Sequence, residues 1–144
     1  MSCVSFWSGP DGGRAWLERL RAAAEDPRPV STFRSPDISD AKIARIRQLA
    51  TSSDAKIRES AALSRQASGD LLNDLSHDAD MGVRCCVARN ERTPLAVLRR
   101  LAHDRNAGVR AWVAANPGAR ELLNDLQHDT NETVRLVAAW ATRW

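Results

Sequence analysis

The chain has no tyrosine, two phenylalanines and two lysines, Lys42 and Lys56, among 144 residues. Seven glycines and six prolines supply too few turns for a β-protein of many short strands. Three cysteines, Cys3 and the adjacent pair Cys85–Cys86, are an odd number with two neighbours, a poor disulfide framework. They read as reduced thiols of a cytoplasmic protein. A zinc or iron–sulfur site calls for C-x-x-C spacing or four ligands, and neither occurs, so no cofactor is expected. No apolar run reaches the roughly 18 residues of a membrane span. Residues 1–13 lack the basic start and apolar stretch of a secretory signal.

Alanine and arginine are abundant instead, 23 and 19 residues, and both favour helix. Apolar residues make 43% and charged residues 27%, as in an ordinary soluble domain, which excludes a disordered or collagen-like chain. The length suits one domain. A formal charge of +3 gives little steering field toward nucleic acid.

Self-similarity is the strongest signal. Four apolar–Arg pairs, Ile57-Arg58, Val83-Arg84, Val109-Arg110 and Val134-Arg135, recur at spacings of 26, 26 and 25 residues. Eight residues before each anchor stand Leu49, Leu75, Leu101 and Leu126; three earlier stand Ile46, Leu72, Leu98 and Leu123. Three residues before it come Asp54, Asp80, Asn106 and Asn131, and five after it Ala62, Ala88, Ala114 and Ala139.

Each column has a physical reading. Asp and Asn accept free amide protons at a helix start, so they read as N-caps. The anchor is then the third helical residue, and Ala61, Val87, Val113 and Ala138 continue its stripe at helical spacing. The alanine column marks a flank where a neighbouring helix approaches closely. Asn90 and Asn116 end two of these helices, with Thr93-Pro94 and Pro117-Gly118 as turn signals. A preceding element of about ten residues carries the Leu pair, as in Leu72/Leu75. One such unit cannot bury its stripe alone, so units must stack. The residues leave the hand of winding open. The expected architecture is all-α: a right-handed α-solenoid of about four two-helix repeats of 25–26 residues with an N-terminal capping helix.

The pattern L-x-x-L-x-x-D-x-(D/N)-x-x-V-R-x-x-V-A-x-N, followed by a proline turn, resembles the variant leucine-rich repeat, a relative of HEAT repeats. The resemblance covers roughly residues 38–144, is clearest in Leu72–Asn90 and Leu98–Asn116, and frays at Leu123–Ala141. It implies α-helices stacked against shorter, often 3₁₀-like helices, and a binding scaffold without a defined partner. One founding member carries an iron–sulfur domain; with only Cys3 in its N-terminal region, this chain does not match that feature.

The chain thus divides into residues 1–36, with a capping helix over 13–25 and a Pro-rich connector over 26–36, and four repeats over 37–144. Helix 13–25 reads either as a shield for the first repeat or as a docking arm with Phe6 and Trp7 as anchors. Asp37 or Ser39 can cap the helix that begins near Ala41.

Three constellations could carry chemistry. His77-Asp78, His103-Asp104 and His128-Asp129 occupy one column. Stacked helices lie about 8–10 Å apart, so the outer histidines are roughly 20 Å apart and cannot share one metal. Each histidine reads instead as a last-turn residue near free carbonyls. Arg58, Arg84, Arg110 and Arg135 could bind phosphate, but Asp78, Asp104 and Asp129 repeat with them, so a structural Asp–Arg ladder between units is the favoured reading. The columns that vary between repeats are the candidate protein-binding face: Glu59, Leu63, Arg89, Trp112 and Trp140, with Trp112 and Arg89 as anchors. The neighbouring Cys85 and Cys86 vary too.

No P-loop, GxSxG or HExxH motif occurs, so the reading is a non-catalytic scaffold for protein–protein interaction. A HEAT-like nucleic-acid binder using arginines of one face is the alternative. The apolar C-terminal end, Leu136, Trp140 and Trp144, suggests a homodimer or another protein partner.

Overall fold

The chain divides into residues 1–37 and Ile38–Trp144. A computed structural model describes residues 39–143. The expected capping helix, the connector, Cys3, Phe6, Trp7 and Trp144 lie outside the described residues.

The described residues are all-helical. In chain order the helices are α1 (Asp40–Ala50), α2 (Ala55–Ala62), α3 (Gly69–Leu75), α4 (Met81–Arg89), α5 (Leu95–Leu101), α6 (Ala107–Ala115), a 3₁₀ segment (Pro117–Leu122), α7 (Leu123–Leu126) and α8 (Glu132–Ala141). They form four repeats: α1–α2, α3–α4, α5–α6, and the 3₁₀ segment with α7 and α8. The second helices stack in series, α2 on α4, α4 on α6 and α6 on α8, and the first helices, shorter than the second in all repeats but the first, pack against them. This is a helical-repeat solenoid.

Local chemistry sets each helix start. Asp80 Oδ1 accepts the amides of Gly82 and Val83 at 2.7 and 3.3 Å; Asn106 and Asn131 do the same for α6 and α8. Asp54 caps α2 through the Lys56 amide, and Ser39 rather than Asp37 caps α1. Loss of such a cap costs about 1 kcal/mol.

The core follows the columns. Leu72, Leu98, Val83, Val109, Val134, Val87, Val113 and Ala138 are all completely buried. Truncating a buried leucine there would cost roughly 2–5 kcal/mol. Ile57 departs from its column: it is 38% exposed, while Val83, Val109 and Val134 are completely buried. At the other end Ala139 is exposed while Ala62, Ala88 and Ala114 are buried.

One expectation needs correction, and the 3₁₀-like first helix that the resemblance implies is found in one repeat. The first helices of the second and third repeats have seven residues, not about ten, beginning just after Ser68 and Pro94. In the fourth repeat the corresponding stretch is a 3₁₀ segment followed by four α-helical residues. That repeat is one residue shorter, and Leu122, just before α7, offers no side-chain cap.

Candidate functional site

The repeated arginines and aspartates meet across repeat boundaries. Arg58 Nε and Nη2 donate to Asp78 at 2.7 and 2.9 Å. Arg84 binds Asp104 in the same bidentate way at 2.7 and 3.2 Å, and Arg110 binds Asp129 at 2.7 and 2.8 Å. The remaining edge of each guanidinium turns inward: Arg84 Nη1 donates to the carbonyls of Asp78 and Ala79 at 2.8 and 3.1 Å. Each aspartate also accepts an amide two residues on, that of Asp80, Asn106 or Asn131, at 2.8 Å. One carboxylate therefore fixes both the preceding repeat and its own helix cap.

These side chains are largely buried, with Arg84 and Asp104 each 8% exposed. Arg58 holds the Asp78 carboxyl below its ordinary value, and Arg110 does the same for Asp129. Burial works to raise that of Asp104, but Arg84 and the Asn106 amide outweigh it and leave it lowered. The ladder has two unlike ends. Ser52 stands in the aspartate column of the first repeat, its hydroxyl accepting the Asp54 amide at 3.2 Å. Arg135, in the last, donates Nη1 to the carbonyls of Asp129 and Thr130 at 2.9 and 3.0 Å but meets no aspartate among the described residues.

A second ladder lies beside it. Asn90 Nδ2 donates to the carbonyls of Ala62 and Ser64 at 2.7 and 3.0 Å; Asn116 Nδ2 does so to those of Ala88 and Asn90. Both asparagines are buried. The sequence marks them only as helix ends. Their reach into the preceding repeat leaves no mark beyond the residue type.

The variable face is divided by these contacts. Glu59 pairs with Lys56 at 2.9 Å and lies over Gly82, where any Cβ would sit 2.3 Å from its Oε1. Leu63, Arg65, Arg89, Asn90, Glu91 and Arg92 line a cleft of about 630 Å³ at the C-terminal ends of α2 and α4. Arg89 and Glu91 continue into a smaller cleft of about 230 Å³ with Trp112 and Pro117. Trp112 is 41% exposed, and the Arg89 guanidinium sits 5.2 Å from its ring centroid, a cation–π contact. Trp140 and Leu136 on α8 are 58% and 64% exposed. Cys85 and Cys86 are half-buried beside this face, and burial pushes both thiols up.

The opposite edge carries the histidines. All three are exposed, one residue past the helix cap rather than within the last turn. His128 Nδ1–H donates to the Asn124 carbonyl at 2.8 Å, while Asp78, Asp104 and Asp129 are taken by arginines. Among the described residues no group of three or more His, Cys, Asp or Glu side chains is placed to hold a metal. First helices leave clefts of about 480 and 430 Å³ between repeats one and two and between three and four. At the middle junction Arg100 reaches across to Asn73 and Ser76.

No described helix is long and apolar enough to cross a membrane. No curated protein and no solved structure matches the chain. The family model described as leucine rich repeat variant matches residues 82–106, which run from the start of α4 to the cap of α6 and enclose the Arg84–Asp104 rung. Residues 82–106 are therefore similar to the leucine rich repeat variant, the family whose pattern the sequence resembles.

Proposed function

We propose that the chain is a non-catalytic cytoplasmic scaffold that holds a protein partner along the C-terminal ends of its second helices. One observation carries this reading: Trp112, 41% exposed, lines a cleft with Arg89 across its ring, and Arg89 continues into the larger adjoining cleft. Tryptophan and arginine supply most interface hot spots, because a large rigid ring or a forked cation is held with little loss of freedom. Leu63 adds apolar surface, and Arg65, Arg89 and Arg92 outweigh Glu91 around the larger cleft. The fitting partner segment pairs an apolar side chain with an acidic one.

Comparative capture tests this. Immobilised full chain, Trp112→Ala and Arg89→Glu are exposed to the same native cytoplasm, and retained proteins are quantified. The expected result is a protein retained by the full chain and depleted at least about tenfold by either substitution, a loss of about 1.4 kcal/mol. Identical profiles for all three chains would remove the reading. A duplex DNA titration at rising salt is the control; a steep negative salt slope would assign the arginines to phosphate instead. Light scattering on the same samples checks self-association through Leu136 and Trp140.

A further inference from the structure

Three junctions in this molecule are built alike. At each, a guanidinium pinned by carbonyls of its own repeat turns its Nε–Nη2 edge to the next repeat, and an aspartate takes that edge bidentately. Beside each such pair a buried alanine, Ala62, Ala88 or Ala114, lets the next repeat approach. At the end of α8 the same parts recur without a covering repeat among the described residues. Arg135 is pinned through Nη1 to the carbonyls of Asp129 and Thr130 at 2.9 and 3.0 Å. Ala139 is exposed, and Leu136, in the column where Glu59 leans over Gly82 of the next repeat, is 64% exposed.

We infer that this face is a docking surface for a protein segment bearing an aspartate in the turn before a helix, the aspartate seated on Arg135 and an apolar helix start on Leu136 and Ala139. A guanidinium already held on one side loses little freedom when its other edge is filled, and the fork geometry selects a carboxylate over a neutral acceptor. The three internal rungs are the precedent for that occupant.

A second copy is a poor fit. Docked head-to-tail it would present Ser52, a hydroxyl, where the aspartate belongs. Docked symmetrically it would bring α8 against α8, which carries no turn aspartate for Arg135. The occupant is therefore a segment with the aspartate in place, which a second copy does not offer. This surface is separate from the Trp112 groove, so the two readings stand or fall apart.

The probe is a fluorescent peptide of residues 102–116, which contains the turn with Asp104, the Asn106 cap and helix α6. Full chain is titrated into it and anisotropy recorded. Saturable binding is expected, weakened about tenfold or more by Asp104→Asn in the peptide. Arg135→Gln in the chain should weaken it equally, and the two changes together no more than either alone. Arg135→Lys keeps the charge but not the fork, and should fail to restore binding. Helical circular dichroism of both chain variants should match the parent. Trp112→Ala should leave binding unchanged. Absence of saturable binding, equal binding of both peptides, or loss of binding through Trp112→Ala in place of Arg135→Gln overturns the proposal. So does a dimer in light scattering that Arg135→Gln dissolves.

Discussion

Asp104→Ala is the sharpest test of whether the ladder ties repeats together. The substitution removes three hydrogen bonds: two from Arg84 at 2.7 and 3.2 Å and one from the Asn106 amide at 2.8 Å. A hydrogen bond to a charged group contributes about 1.5–3 kcal/mol, and removing one partner of a buried pair costs about 3–5 kcal/mol. Arg84 keeps its bonds to the Asp78 and Ala79 carbonyls, which offset part of its isolation. The expected loss is therefore about 3 kcal/mol, at the lower end of that range.

Two further variants divide this figure. Asp104→Asn retains an oxygen for the Asn106 amide but sets an amide group against the guanidinium, so about 2 kcal/mol is expected. Arg84→Lys cannot reach Asp104 and two carbonyls at once and should lose about 2 kcal/mol as well. Replacing both residues, Arg84→Met with Asp104→Leu, leaves no orphaned charge and should be milder than the sum of the single losses by at least about 2 kcal/mol. Urea unfolding followed by circular dichroism and tryptophan fluorescence measures each loss at constant slope. Single losses under about 0.5 kcal/mol, or a double variant equal to their sum, would refute the rung as an inter-repeat tie.

Three other outcomes follow from the same contacts. Asp78, Asp104 and Asp129 titrate below their ordinary value in the folded chain, so their stabilisation is complete above that value, about 3.9, and is lost as pH falls through and below it. Stability should be flat between about pH 7 and 5 and fall below, with a shallower fall in Asp104→Asn; urea midpoints across pH check this. Asn116→Ala should cost about 2–3 kcal/mol, since it abandons the carbonyls of Ala88 and Asn90 and the Gly118 amide, and Asn116→Asp should cost more by facing a carboxylate to those carbonyls. Ala88→Val should cost about 1–3 kcal/mol in its filled junction, while Ala139→Val on the open face should stay within about 0.5 kcal/mol; thermal melts compare the pair.

What could be read from the residues depends on whether a contact repeats. The caps Asp54, Asp80, Asn106 and Asn131 and the rung arginines stand in all four repeats and the rung aspartates in three, so each column shows its own constraint. Asn90 and Asn116 occur in only two of the four repeats, with Ser64 and Ala141 in the other two. Their local sign, ending a helix, was visible, but the bonds they send to residues 26 and 28 positions back were not. The seven-residue first helices escaped for another reason: a Leu pair three apart fixes one turn of helix and says nothing of where the helix begins.

Column reasoning also assumes a neighbour on both sides, and the departures fall where that assumption ends. Ile57 is exposed at one end, and Ala139 and Arg135 stand open or without an aspartate at the other. Variation within a column is likewise ambiguous. Glu59 and Trp112 both looked like binding residues because their columns vary, yet Glu59 varies to suit its own junction, paired with Lys56 above a glycine. Trp112 instead stays 41% exposed with a cation across its face. A variable position therefore points to a partner only when the neighbouring repeat leaves it uncovered, a condition that needs the fold as well as the column.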